Sequence, residues 1–263
     1  MIRKAYVDTP AGQIHYRHLP AAGTPILFFH RTPICSSSFD RVFAALAGWR
    51  PLYAFDTPGF GESFVPAPPF TVGDYRDSIL AAIDALGLRD FHLCGNHSGA
   101  HFAIAIAAHS HTRARSLMID GVMYHTADER AVRRAARRSA PEIDAAGNYI
   151  QQAWSYLQPY YPRFVADTIH QEFIGAMRTM QTRDTCHTAL LDQDVPAVLR
   201  RVTCPIHAFA ASDDVYVSLL PRIAADLPNA TISTYGDAGI AGPELRPLEF
   251  ADTVRRTVRA AEA

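Results

Sequence analysis

The sequence predicts an α/β fold: a mostly parallel sheet of about eight strands flanked by helices, with a helical segment inserted between its two halves. Three observations carry this. Short continuous apolar runs, such as Pro25-Ile26-Leu27-Phe28-Phe29 and Ser116-Leu117-Met118-Ile119, alternate with longer stretches of helical period. Runs apolar at every position fit parallel strands covered by helices on both faces. One such run, Phe91-His92-Leu93-Cys94, breaks at Gly95 and passes within a few residues into the helix-forming stretch Ala100 to Ala108, which reads as strand, sharp turn and helix. From about Tyr124 to Val198 strand-like runs vanish, so residues 1–123 and 199–263 read as two parts of one core around a helical insertion, 124–198.

In chain order, Ala5-Tyr6-Val7 and Gln13 to Arg17, separated by Pro10-Ala11-Gly12, read as an edge hairpin, with His15 and His18 as surface residues. Pro25 to His30 is a buried strand and His30-Arg31-Thr32-Pro33 the turn after it. Ser36-Ser37-Ser38 offers a cap to a helix whose apolar face is Phe39, Val42, Phe43 and Leu46. Leu52 to Asp56 is the next strand, followed by the glycine-rich loop Thr57-Pro58-Gly59-Phe60-Gly61-Glu62-Ser63, which Asp56 pins. Thr71 opens a helix with Val72, Tyr75, Ile79, Ile83 and Leu86 on one face, and Gly87 ends it. The strand Ser116 to Gly121 puts Asp120 at its C-terminal end, the functional edge of such sheets. The insertion breaks at Pro141, Gly147, Pro159 and Pro162. It carries a basic helix (Arg130, Arg133, Arg134, Arg137, Arg138) and an aromatic-rich stretch (Tyr149, Trp154, Tyr156, Tyr160, Tyr161, Phe164). Core strands resume at Cys204 to Ala210, followed by Ala211-Ser212-Asp213-Asp214, a helix Val217 to Leu227, a last strand Ala230 to Tyr235 and a closing helix Leu248 to Ala260.

Gly95 and Gly99 stand two residues either side of His97, and glycines there let strand and helix approach around one residue in a strained turn. Gly95-Asn96-His97-Ser98-Gly99 resembles the nucleophile elbow of the α/β-hydrolase family, Gly-x-nucleophile-x-Gly. A second stretch, Asp56 to Ser63, resembles that family's Asp-x-Pro-Gly-x-Gly-x-Ser loop. The resemblance covers the two core parts and implies the α/β-hydrolase fold, with the insertion as its helical cap. The family places serine, cysteine or aspartate at the elbow apex. Here the apex holds His97, and Ser98 comes one residue late. In the His-Gly-x-Pro-like loop that supplies an oxyanion donor, Arg31 takes the glycine place. Matching the Gly-x-x-Asp turn position by position puts the catalytic acid at Asp214, with Asp213 adjacent; some members place the acid where Asp120 stands. The catalytic histidine expected in the loop Gly236 to Glu244 is missing, and no histidine follows His207.

These departures point away from ordinary Ser-His-Asp chemistry, because a serine attacks well only with a base beside it. The expectation is an α/β-hydrolase-fold enzyme in which His97 is a general base on a small carbonyl- or carboxylate-containing substrate, breaking a C–O or C–C bond or performing a lyase-type step. The adjoining helix N-terminus should lower the His97 pKa and keep the ring neutral. Asp120 or Asp214 would fix its tautomer. The Ser98 backbone and the loop His30-Arg31-Thr32 would stabilise an oxyanion, and Arg31 would grip a substrate carboxylate. Tyr124, His125, Trp154 and His187 are expected to line the pocket from the cap side. The alternatives are a serine esterase using Ser98 with a cap histidine (His125 or His187), and a ligand-binding relative without catalysis.

Composition bounds the partners. With 263 residues, 48% of them hydrophobic, the chain can bury a full core. A net charge of -1 and a pI of about 6.9 give no footprint for nucleic acid or an anionic membrane. No apolar stretch reaches membrane-spanning length and no leader pattern opens the chain, so a cytoplasmic protein is expected. Cys35, Cys94, Cys186 and Cys204 lack metal spacing. His97 and His101 are spaced i, i+4 but without the glutamate of a zinc helix, and the elbow lacks dinucleotide glycine spacing, so neither metal nor cofactor is expected. The expected partner is a small molecule, anionic or aromatic; assembly with further copies stays open.

Overall fold

The computed structural model describes residues 1–137, 140–161 and 165–263. Arg138, Pro162 and Phe164 of the basic and aromatic runs lie outside the described residues. Eight strands form one sheet: β1 (Arg3–Thr9), β2 (Gly12–Leu19), β3 (Ile26–Phe29), β4 (Leu52–Phe55), β5 (Phe91–Asn96), β6 (Ala114–Asp120), β7 (Ile206–Ala211) and β8 (Thr231–Tyr235), in the order β1-β2-β4-β3-β5-β6-β7-β8. β1 pairs antiparallel with β2 and β2 with β4; every other pair is parallel. The sequence thus forms the mostly parallel sheet that its apolar runs predict.

The burial of the central strands follows from period-two alternation. Leu27 and Phe29 of β3, Leu93 of β5, and Leu117 and Ile119 of β6 face one core, shared with Phe102 and Ile106 of the helix Ser98–His109. Ile26, Phe28, Cys94 and Met118 face the other, shared with Val42 and Phe43 and with Phe250, Val254 and Val258 of the helix Pro247–Glu262. Each fully buried side chain of this kind is worth roughly 1.5–3 kcal/mol, so the β3–β5–β6 centre is the rigid floor of the molecule. Between β6 and β7 the described chain is helical: Ala127–Ala136, Asn148–Leu157, Ala166–Arg178, Met180–Asp192 and Val195–Leu199. This insertion leaves from the C-terminal end of β6, on the edge of the sheet where the elbow lies.

Local details refine the sequence reading. Thr71 caps the helix Val72–Ala85 in a capping box with Asp74. The serines at 36–38 instead lie within a short 3-10 turn, Ser36–Phe39, whose cap uses no side chain. His15 is not a surface residue: it is buried, with Nδ1 2.7 Å from Asp56 Oδ2. Asp56 also accepts the N–H groups of Ser36 and Glu62. Burial alone would raise its pKa, but these donors and His15 hold it down to about 2. The loop is pinned as its motif implies.

Candidate active site

His97 sits between β5 and the helix Ser98–His109 with φ 50°, and among the described residues it is the one non-glycine with positive φ. Such a conformation costs a residue with a Cβ of order 1–3 kcal/mol and persists where the surroundings over-determine it. They do so here. The His97 N–H donates to the Asp120 carbonyl at 2.8 Å, and its carbonyl accepts the Ala100 N–H at 2.9 Å. Gly99 lies against the β3 backbone, where a Cβ would collide with the Phe29 carbonyl.

His97 is 8% exposed and its Nε2 lies 2.6 Å from Asp214 Oδ2. An ionised carboxylate can only accept, so Nε2 carries the proton and Nδ1 keeps its lone pair. Nδ1 has no hydrogen-bond partner among the described residues, and His97 lines a cavity of about 180 Å³ under the insertion. Asp214 is held in turn: its Oδ1 accepts the Tyr216 N–H at 2.7 Å, and the Tyr216 ring packs 5.5 Å from the His97 ring. Burial disfavours the imidazolium, but the Asp214 charge and hydrogen bond outweigh it, and the His97 pKa is raised above its ordinary 6.5. The helix N-terminus had suggested the opposite direction; a carboxylate in contact outweighs partial charges at a helix end.

Of the two acids, Asp214 takes the ring. The Asp120 carboxyl is anchored elsewhere, accepting Asn96 Nδ2 at 2.6 Å and the Tyr235 hydroxyl at 3.0 Å. Desolvation, aided by Asp214, pushes its pKa up to about 7. Asp213 binds the N–H groups of Ala238 and Gly239, both at 2.7 Å, and so shapes the loop after β8.

Ser98 and Thr32 also line the cavity, and the Thr32 N–H donates to Ser98 Oγ at 2.6 Å. The backbone donor expected at an oxyanion is therefore taken by the serine hydroxyl, whose own proton is left to point onward. As the first helical residue, Ser98 also has a backbone N–H that no intrahelical carbonyl takes. Thr32 Oγ1 lies 3.2 Å from His187 Nε2.

Arg31 turns inward, yet its fork is engaged. Nε and Nη2 donate to Glu172 at 3.1 and 2.9 Å, Nη1 to Glu244 at 3.0 Å and Nη2 to the Tyr161 hydroxyl at 3.2 Å. Rather than waiting for a substrate carboxylate, it joins the core loop to the insertion. His30 is a second joint: the Thr57 N–H donates to its Nε2, and its Nδ1–H donates to the Arg31 carbonyl. It is fully buried and lies outside the cavity lining.

The expectations for the insertion side divide. His187 lines the cavity; burial, then Arg183 and Arg137, push its pKa down to about 4. Tyr124 points away, donating to Asp226 at 2.8 Å. His125 sits behind the cavity wall, edge-on to Tyr216 at 5.7 Å, and Trp154 packs against Phe173. The sequence reading missed Tyr216, Glu172, Arg183 and Ile240 as lining residues. Two of these had a usable signal: Tyr216 lies two residues beyond the acid, and Ile240 sits in the loop searched for a histidine. Among the described residues no cluster of three or more His, Cys, Asp or Glu is placed to hold a metal ion.

A mostly parallel eight-stranded sheet, an elbow after its central strand, an acid after β7 and a helical insertion over the elbow define an α/β-hydrolase core. The model of the alpha/beta hydrolase family matches residues 19–253, and the chain belongs to that family. It is 30% identical over 185 residues to a haloalkane dehalogenase of Agrobacterium fabrum, a match covering 67% of this chain and 59% of the dehalogenase. It is 28% identical over 204 residues to a Caulobacter protein named "Putative carbamate hydrolase RutD", covering 72% of this chain and 75% of that protein. Among solved structures, E-2-(acetamidomethylene)succinate hydrolase superposes with a TM-score of 0.76 at 20% identity, over 98% of this chain and all of that one. Membership supports hydrolytic or lyase-type catalysis on small organic molecules. No described helix is long and apolar enough to cross a membrane.

Proposed function

We propose that this chain is a hydrolase in which His97 is the general base, oriented by Asp214, and no serine nucleophile is used. The observation that carries the reading is the 2.6 Å bond from Nε2 to Asp214, which leaves Nδ1 basic at the cavity. A water at Nδ1 gives up a proton as its oxygen attacks a bound ester or ketone carbonyl. The imidazolium that forms is stabilised by Asp214. The negative charge on the carbonyl oxygen is met by the Ser98 N–H and by the Ser98 O–H that Thr32 polarises. Collapse of the tetrahedral adduct breaks the C–O or C–C bond, and the imidazolium returns its proton to the leaving atom. With no water admitted, the same base removing a proton beside a carbonyl gives the lyase-type outcome.

Turnover of a panel of small esters, lactones and β-diketones, compared with His97→Asn, tests this. The expected loss is on the order of 10³-fold or more, general-base catalysis and imidazolium stabilisation acting together, with no covalent adduct in quenched mass spectra. Turnover within tenfold of wild type in the variant refutes it.

The hydrolase names among the relatives favour a second reading, a serine esterase using Ser98 with a cap histidine. His187 is the cap histidine linked to Ser98, through Thr32. Stoichiometric labelling of Ser98 by a fluorophosphonate, lost in His187→Gln, would establish that reading and displace the first. Saturable ligand binding without turnover on any substrate would mark a binding protein instead.

A further inference from the structure

The insertion side of the cavity carries more positive charge than the protein neutralises. Arg183 lines the cavity at 6% exposure, and arginine is almost never buried to that degree unless paired. Its neighbours on the cavity wall are Arg133 and Arg137. Other arginines of the insertion have acidic partners: Arg130 has Asp194, Arg134 has Asp192 and Arg178 has Glu62. Among the described residues no carboxylate pairs with Arg133, Arg137 or Arg183, and the residues outside the description (Arg138, Ser139, Pro162, Arg163, Phe164) include no acid.

What holds these cations is neutral. Arg183 lies over the Tyr156 ring at 5.3 Å and Arg133 over the Tyr216 ring at 5.6 Å. Arg137 donates to the Asp184 carbonyl at 2.7 Å and to Thr188 Oγ1 at 2.6 Å. Aromatic faces and carbonyls orient a guanidinium without cancelling its charge. Burial first, then Arg183 and Arg137, lowers the pKa of His187 beside them, with the Asp184 charge opposing. Arg31, by contrast, is neutralised by Glu172 and Glu244. Tyr216 touches both Arg133 and the His97 ring, so the cationic wall runs to that ring.

We infer that Arg183, with Arg137 and Arg133 beside it, is an anion subsite that holds the carboxylate of a small organic acid against the tyrosine wall of the cavity. Placing the acid's second, reacting carbonyl at His97 Nδ1 rests on the general-base reading; the anion subsite itself does not. The substrate class is then an ester, lactone or diketone that also bears a free carboxylate.

The test is binding, so it needs no substrate. Titration calorimetry of the intact protein with benzoate and with its neutral isostere benzamide should show benzoate at least tenfold tighter. Arg183→Gln should weaken benzoate by about 10–100-fold, the range for a hydrogen bond to a charged group, and leave benzamide unchanged. Arg115→Gln, an exposed arginine paired with Asp90, should change neither. If Arg183→Gln does not fold, the half-buried Arg137 changed to Gln carries the same test. Equal affinity for the two probes, unchanged benzoate binding in the arginine variant, or no saturable benzoate binding overturns the inference. His97→Asn separates the two claims: lost turnover with intact benzoate discrimination supports both, while retained turnover removes the general base and leaves the anion subsite standing.

Discussion

Asp214→Asn is the perturbation that best probes the site, because the structure fixes how the new amide must lie. Asp214 Oδ1 accepts the Tyr216 N–H at 2.7 Å, and Oδ2 faces His97 Nε2 at 2.6 Å. An amide has one acceptor and one donor end. Keeping the Tyr216 bond puts the oxygen at the first position and the NH₂ at the second, facing Nε2. Nε2 must then accept, and the ring proton moves to Nδ1, the atom that the proposed mechanism needs basic. The variant loses the imidazolium's counter-charge and holds the wrong tautomer. Where that substitution is made in a serine triad the loss in kcat is about 10⁴-fold, and a loss of about 10³–10⁴-fold is expected here. The pH dependence adds a check. A general base works unprotonated, so the rate rises with pH through the His97 pKa, which Asp214 raises above 6.5. In wild type the ascending limb therefore lies above pH 6.5, and in the variant its residual activity rises at lower pH. The same raised pKa makes the ion pair's contribution to stability complete below pH 6.5 and lost as pH climbs through the folded-state value. Imidazole ¹⁵N spectra read the tautomer without a substrate: Nε2–H in wild type, Nδ1–H in the variant. Nδ1–H in wild type, or variant turnover within tenfold of wild type, refutes the reasoning.

Other outcomes follow from single contacts. Ser98→Ala removes one hydrogen-bond donor and the partner of the Thr32 N–H, and should cost no more than about tenfold in kcat, since the freed N–H can serve the oxyanion itself; kcat/KM of the variant measures this, and complete inactivation would favour the serine mechanism. Arg31→Met leaves the Glu172 carboxylate buried with only the Tyr161 hydroxyl against it. Breaking such a pair costs about 3–5 kcal/mol, read as a lower urea midpoint. Gly121→Ala puts a methyl at φ 58° against His97 Nε2 and 2.8 Å from Asp214 Oδ2. The imidazole cannot then reach the acid, and both turnover and the Nε2–H tautomer should be lost, while retention of both would mean the pair tolerates being pushed apart.

The fold was legible because its evidence is local. The buried run at β3, the break at Gly95 and the loop from Asp56 each declare themselves within a few residues, whereas the sheet order had to come from the structure. Asp214 stood out as a position in a short turn after a strand, with Asp120 left beside it as the other acid that could meet His97. Side chains whose role depends on a distant partner were not. Arg31 reads as a free guanidinium until Glu172, 141 residues later, takes it. Tyr124 reads as a pocket residue until Asp226, 102 residues on, draws its hydroxyl away. Arg183 is the converse, an arginine of the helix Met180–Asp192 that no carboxylate among the described residues comes to meet.

The histidine at the elbow is explained by the same long-range logic. In the family's arrangement an imidazole from the loop after the last strand bridges nucleophile and acid. Here that loop contributes Ile240 to the cavity, while the imidazole rises from the elbow and reaches Asp214 directly. Gly121 leaves the space its ring needs. An imidazole–carboxylate pair is therefore present with the imidazole on the other side, and the elbow apex holds no serine, cysteine or aspartate. Ser98 Oγ accepts the Thr32 N–H, and the elbow histidine directs its Nε2–H at Asp214 rather than at the serine. Under the proposed mechanism, water or a proton on the substrate itself is the partner of Nδ1.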